Sequence, residues 1–161
     1  MRDIGQLSIS LLKWSKSLEK NLVEAVENTA KTIQENVIEN APSTNGEYTS
    51  SIKVGETEVK NNKIRTSVFS DLLVGGNNPK WAKVPLAAFL EWGTGIKGLS
   101  SNTYPHGYGY RLTPWCYYDE YLHQWITTDG IIAKPHFYPA LSKNKSIFLE
   151  EIRKAVKKCK I

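Results

Sequence analysis

Three short segments fix where regular structure in this chain can stop and start. They are Ala41-Pro42-Ser43-Thr44-Asn45-Gly46 running to Ser51-Ile52, then Ala87-Ala88-Phe89-Leu90-Glu91-Trp92-Gly93-Thr94-Gly95, then Ala133-Lys134-Pro135-His136-Phe137-Tyr138-Pro139-Ala140-Leu141. None of the three supplies a nucleophile, a base or a metal ligand set. The first closes a long element. From about Ser10 to Glu39, Leu11, Trp14, Leu18, Leu22, Val26, Ile33 and Val37 recur mostly at intervals of three, four and seven, the stripe of an amphipathic helix. Pro42 cannot continue that helix and biases Ala41 away from helical angles, so the helix is expected to end there.

A hairpin is expected next. Ile52 and Val54, then Ile64, Thr66 and Val68, alternate with polar residues at a period of two, and Asn61-Asn62 suits a tight primed turn. Gly55 hints at a bulge, Leu72-Leu73-Val74 extends the second strand, and Gly75-Gly76-Asn77-Asn78-Pro79 reads as a loop. Val84 to Trp92 reads as a short helix, with Pro85 in its first turn and Gly93 as the left-handed residue that closes it. Residues 96–114 read as a loop rich in Gly, Ser, Asn, Tyr and Pro. Trp115–Tyr118 and Trp125–Thr128 form the arms of a second hairpin. Leu141, Phe148, Ile152, Ala155 and Cys159 then mark an amphipathic helix opened by Pro139. The expected fold is α+β: a small antiparallel sheet packed by two long helices, with a short middle helix and an aromatic hairpin insert at 96–130, all in one domain spanning 1–161.

At 161 residues, with 40% hydrophobic residues and a mean hydropathy of -0.40, the chain reads as one soluble globular domain. No run approaches the ~18 apolar residues of a membrane helix, and the first residues lack the pattern of a signal peptide. Synthesis in a cytoplasm, without export or membrane partner, is the expectation. Cys116 and Cys159 make no disulfide framework and read as small buried or half-buried hydrophobes. The net charge of +5 is local. Lys143, Lys145, Arg153, Lys154, Lys157, Lys158 and Lys160, set against Glu150 and Glu151, account for all of it, while the preceding 14 basic and 14 acidic residues cancel. Cations at the end of the last helix complement its dipole and stay solvated.

Candidate chemistry reads as structure. Gly93-Thr94-Gly95-Ile96-Lys97-Gly98 spells a dinucleotide fingerprint, but a helix rather than a strand precedes it. His106, His123 and His136 have neither zinc-ligand spacing nor a partner nucleophile and read as surface or loop histidines. Glu91, at the end of an apolar helix, reads as a carboxylate that accepts hydrogen bonds and fixes the Gly93–Gly95 turn, since an unpartnered buried carboxylate is too costly to keep. No enzyme activity, metal or cofactor is expected. The aromatic density points instead to contact: Tyr104, Tyr108, Tyr110, Trp115, Tyr117, Tyr118, Tyr121, Trp125, Phe137 and Tyr138 place ten of 17 aromatics within 35 residues. A hairpin shows only one face to its own core, so Tyr108, Tyr110, Trp115, Tyr117, Tyr118 and Trp125 are expected at an interface, the alternative being that the rings fill the core of this domain.

Taken in order, the three segments resemble the phage tail-completion and head–tail joining family, the gene-product-ten-like minor tail proteins of lambdoid siphophages. Ala41, Pro42, Gly46, Ser51 and Ile52 match the family's first block, with Asn45 where threonine is usual. Glu91, Trp92, Gly93, Thr94 and Gly95 match the second. Pro135, Pro139 and Ala140 match the third, with His136 an extra residue and Phe137 to Pro139 shortened by one. Thr113-Pro114-Trp115, Tyr117, Asp119, Trp125, Thr128 and Gly130 resemble an insert of Gram-positive phage members. The resemblance implies a virion protein of the neck or tail top that is not an enzyme. It further implies a homo-oligomeric ring, a hexamer, meeting connector or head-closure and tail-tube or tail-terminator proteins, with DNA only passing through the lumen. A rival from another class is a nucleic-acid-binding module, using the basic last helix and tyrosines interleaved with Gly107, Gly109 and Arg111 to stack bases.

Overall fold

The computed structural model describes residues 4–42, 46–74, 84–101, 111–119 and 121–159. The expected Gly75–Pro79 loop, Asn45, and residues 102–110 with Tyr104, His106, Tyr108 and Tyr110 lie outside the described residues. Contacts group the chain into two compact units, Met1–Glu39 with Lys53–Phe69 and Pro139–Ile161, and Asn40–Ile52 with Ser70–Tyr138.

The first helix, α1, runs Ile4–Asn40 and stops just ahead of Ala41-Pro42, where proline geometry requires it. Ala25, Ala30 and Val37 are sealed from solvent, while Ile9, Leu11 and Leu12 near its start stay exposed. Thr29 is buried beside them and returns its hydroxyl to the Ala25 carbonyl at 2.8 Å, which satisfies a polar atom that has no water.

Strand β1 (Ile52–Val54) pairs with β4 (Val68–Ser70), and β2 (Glu58–Lys60) with β3 (Lys63–Arg65). The Asn61-Asn62 turn has φ of 51° and 57°, the left-handed pair that a primed turn demands and that asparagine tolerates better than most residues. Three residues, 55–57, face two, 66–67, where the ladder breaks. There the Gly55 N–H donates to the Ser67 carbonyl at 2.8 Å, and the Thr66 hydroxyl donates to the Gly55 carbonyl at 3.0 Å. This is the bulge expected at Gly55, and a Cβ there would stand 2.6 Å from Ser67 Oγ.

In the second unit, α2 (Glu47–Ser50) is a single turn that follows Gly46, whose φ is 79°. Then come the two-residue strands β5 (Leu73–Val74) and β6 (Val84–Pro85), and α3 (Leu86–Trp92). Next are α4 (Gly95–Ser101), β7 (Trp115–Asp119) and β8 (Gln124–Thr128). The last helix, α5, covers Phe137–Lys158 and belongs to the first unit from Pro139 onward. At its C-terminal end, the Asn21 amide donates to the Ala155 carbonyl at 3.4 Å and lies 3.2 Å from Cys159 Sγ.

The α+β class and the two long terminal helices stand as expected, and five details differ. Among the described residues the strands pair as four two-stranded ladders rather than one sheet. Leu73-Val74 pairs with Val84-Pro85 instead of extending β4. The chain turns out of β4 at Ser70, whose hydroxyl bonds Ser51 Oγ at 2.7 Å and accepts the Leu72 N–H at 3.3 Å. Pro85 lies in β6, so α3 begins at Leu86, and α5 begins two residues before Pro139. Residues 95–101, expected as loop, are helical. Two glycines and two serines hide that helix from propensity, and tertiary packing supplies what the sequence lacks.

Val37 is fully buried, so Val37→Ala is expected to cost ~2 kcal/mol and lower the melting temperature by ~5 °C. Leu12→Ala, at an exposed site, should change stability by less than ~0.5 kcal/mol. Thermal denaturation followed by circular dichroism checks both.

Candidate functional site

The centre of the second unit is a carboxylate. Glu91 sits in the last turn of α3, only 4% exposed. Its Oε2 accepts the backbone N–H of His136 at 2.8 Å and of Phe137 at 3.0 Å, and its Oε1 accepts that of Tyr138 at 2.9 Å. A helix leaves its first four N–H groups without intrahelical partners. For α5 these belong to residues 136–139. Glu91 takes three of them, and the fourth residue, Pro139, has no N–H to satisfy. The negative charge also meets the positive end of the helix dipole. Glu91 therefore accepts backbone bonds as expected, but it caps α5 and does not fix the Gly93–Gly95 turn.

His136, expected at the surface, is completely buried. Burial, and then the negative charge of Glu91, push the Tyr48 phenol well above the ordinary tyrosine range, so it keeps its proton. Tyr48 Oη and His136 Nε2 share a hydrogen bond at 2.5 Å. His136 Nδ1 donates to the Lys134 carbonyl at 2.8 Å and lies 3.3 Å from Glu91 Oε2. Tyr48 itself is 2% exposed and stands two residues after Gly46. The three sequence segments thus meet at one knot: Tyr48 from the first, Glu91 from the second, His136 from the third. Its hydrogen-bonding capacity is engaged and it is closed to solvent, so what it does is hold backbone in place.

The Gly-Thr-Gly turn makes the second contact between segments. Gly93 has φ of 71° and Gly95 of 63°. Thr94 exchanges backbone bonds with Ile131 at 2.9 and 3.1 Å, and its hydroxyl accepts the Ile131 N–H at 3.0 Å. A Cβ on Gly93 would fall 2.6 Å from Gly98 Cα and from the Ile131 carbonyl oxygen. Glycine is required there by angle and by space. Pro42 and Pro135 are half-buried, and Pro139 is exposed in the first turn of α5.

The aromatic hairpin forms as expected, with Trp115 opposite Thr128, Tyr117 opposite Ile126 and Tyr118 opposite Trp125. Side chains alternate between faces. One face carries Trp115, half-buried, whose ring lies where a Cβ on Gly95 would come to 2.8 Å, with the Arg111 guanidinium 5.6 Å above it. The other carries Cys116, Tyr118, Trp125 and Thr127, all exposed. Tyr118 and Trp125 touch edge to face at 5.7 Å. Trp125 is 72% exposed and Tyr121, in the turn, 92%. Tyr117 is exposed as well. Cys116, expected to be buried or half-buried, is exposed because it falls on this outward face; Cys159 is half-buried. His123, in the turn, is exposed, with φ of 50°. Tyr108 and Tyr110 lie outside the described residues. Among the described residues no group of three or more His, Cys, Asp or Glu side chains could hold a metal ion.

Sequence reasoning missed Tyr48 and His136. The available signal was a lone histidine inside the apolar run Pro135-His136-Phe137-Tyr138-Pro139-Ala140 at the start of a helix. Such a position is buried, and a buried imidazole needs two partners.

Glu91, Tyr48 and His136 hold backbone inside the second unit, while the β7–β8 hairpin turns aromatic surface outward. The sequence profile of the HK97-gp10-like family of bacteriophage tail components matches residues 6–93, more than half of the chain, and the chain belongs to that family. The match takes in the Ala41–Ile52 block and Glu91-Trp92-Gly93; α4, the aromatic hairpin and the Pro135–Ala140 block lie beyond it. No curated protein and no solved structure matches the chain.

Three outcomes are expected. Glu91→Ala removes the acceptor of three N–H groups, one buried and two partly buried, and should cost on the order of 3 kcal/mol in urea denaturation, with Glu91→Gln falling between it and the parent. Gly93→Val forces a side chain into a left-handed angle against backbone and should lower the melting temperature by several degrees; an unchanged value contradicts the packing described. The raised Tyr48 pKa gives stability that is complete below roughly pH 10, where the unfolded chain's tyrosine begins to ionise, and is lost as pH rises beyond it. Tyr48→Phe should abolish that component of alkaline destabilisation, read from urea midpoints at pH 8 and pH 11.

Proposed function

We propose that this tail component is a non-enzymatic structural protein of the phage neck or tail top, assembling as a homo-oligomeric ring that joins tail to head or completes the tail. The observation that carries the reading is the outward face of the β7–β8 hairpin. A two-stranded ladder alone is marginal in water, yet this one leaves Tyr118, Trp125 and the turn residue Tyr121 in solvent. Clustered exposed rings mark a protein contact. Burial of each is worth roughly 1.5–3 kcal/mol, enough for two or three to act as anchors. The platform behind them is fixed by the Thr94–Ile131 bonds and by the Trp115 ring.

In this reading the ring is a hexamer, stacked between connector or head-closure proteins and tail-tube or tail-terminator proteins, with DNA passing through its lumen. The protein is made in the bacterial cytoplasm and ends in the virion. No helix among the described residues is long and apolar enough to cross a membrane. A nucleic-acid-binding module remains the second reading, favoured by Lys143, Lys145, Arg153, Lys154, Lys157 and Lys158, all exposed on α5.

Tyr118→Ala with Trp125→Ala should leave circular dichroism and melting temperature near those of the parent while removing the protein from assembled particles, scored by blotting of purified virions. Global unfolding of that variant would place the rings in the core. Titration of duplex DNA at 50 and 200 mM salt separates the second reading, which requires affinity falling steeply with salt; the ring reading expects no such binding by the free chain.

A further inference from the structure

The ring reading leaves open which surface receives the hairpin, and charge picks one out. From residue 112 to 133 the chain carries Asp119, Glu120 and Asp129 and not a single Lys or Arg. The hairpin is therefore acidic as well as apolar. Most of the chain's cationic excess lies on α5, where Lys143, Lys145, Arg153, Lys154, Lys157 and Lys158 face Glu150 and Glu151. That helix buries Ala140, Asn144 and Ala155. On a different flank, Lys145, Leu149, Arg153 and Val156 recur at intervals of four, four and three, so they form one stripe. All four are exposed, Leu149 and Val156 by nearly half of their surface. An apolar stripe that carries cations matches an apolar hairpin whose segment of the chain carries only acidic charge.

We infer that the outward face of the β7–β8 hairpin of one copy docks on the Lys145–Leu149–Arg153–Val156 stripe of α5 of the next copy. The inference rests on the ring reading and specifies its contact. Tyr118, Tyr121 and Trp125 together expose about 400 Å², roughly half of the ~800 Å² that each partner of a standard interface contributes. The contact is thus the centre of a wider one, with opposite charges at the rim setting orientation. Because the two surfaces differ, the interface is heterologous: each copy gives a hairpin and receives one, and the arrangement closes as a ring when its rotation divides a full turn.

Native Cys116 stands exposed on the hairpin face and serves as the probe. In a Cys159→Ser background, single cysteines are introduced as Lys145→Cys, Leu149→Cys or Val156→Cys, with Lys143→Cys as the control on another flank of α5. Assembled particles carrying each variant are oxidised with copper phenanthroline and run on non-reducing gels, and parallel samples are fixed with glutaraldehyde. The expected result is a ladder of multimers from at least one stripe position, and none from Cys116 alone or from Lys143→Cys. Dimers from Cys116 alone would mean that hairpins meet each other, and a ladder from Lys143→Cys equal to the stripe's would mean the contact is unspecific; either overturns the inference. A glutaraldehyde ladder with no cysteine ladder at any stripe position overturns the docking surface and leaves the ring standing. Monomers under both reagents overturn the ring reading and the inference with it.

Discussion

A carboxylate buried to within 4% of complete exclusion from solvent survives only where its charge is answered, and Glu91 is answered by three backbone N–H groups. The arrangement works in both directions. Glu91 gains acceptor bonds that replace water, and α5 gains partners for the N–H groups that no helix can satisfy within itself. Pro139 completes the arrangement by removing the one donor the carboxylate does not reach. Around this contact the other parts are ordered: His136 is held between Tyr48 and Lys134, and the Gly93–Gly95 turn leaves α3 at an angle that brings Thr94 against Ile131.

Much of this was legible in the sequence, and the reasons are specific. The α1 stripe and its stop at Pro42 are local effects of periodicity and proline sterics. The Asn61-Asn62 turn, the Gly55 bulge and the pairing of Trp115–Asp119 with Gln124–Thr128 follow from turn chemistry and alternation, which depend on near neighbours. What the sequence hides depends on partners remote in the chain. Glu91 was readable as an acceptor, but its donors lie 45 to 47 positions away. Nothing near His136 announces that Tyr48 will meet it from 88 positions off. The helix at Gly95–Ser101 has poor propensity by its two glycines and two serines, and its Gly98 Cα lies where a Cβ on Gly93 would stand, a contact that belongs to the packing. The family resemblance reaches further than periodicity, since it groups the same three segments whose side chains meet around Glu91.

The division of labour between inside and outside gives the functional reading its physical sense. Membership of a phage tail-component family sits naturally with a chain whose Tyr48, Glu91 and His136 are turned inward and hydrogen-bonded to one another or to backbone. The residues left over are aromatic, apolar and charged in separate places, on the hairpin and on α5. Such a surface is costly for a lone subunit to carry in water and becomes favourable once covered. A rigid frame matters for such a part, because anchors held in place lose less entropy on docking than mobile ones.

The central claim, that Glu91 holds the start of α5 by its main chain, is tested most directly by amide hydrogen exchange at His136, Phe137 and Tyr138, compared between the parent chain and Glu91→Gln at neutral pH. The account predicts slow exchange at all three amides in the parent and a marked acceleration, strongest at these three, in the variant. Equal protection in both chains would contradict it, because the N–H groups would then owe their shielding to something other than the carboxylate.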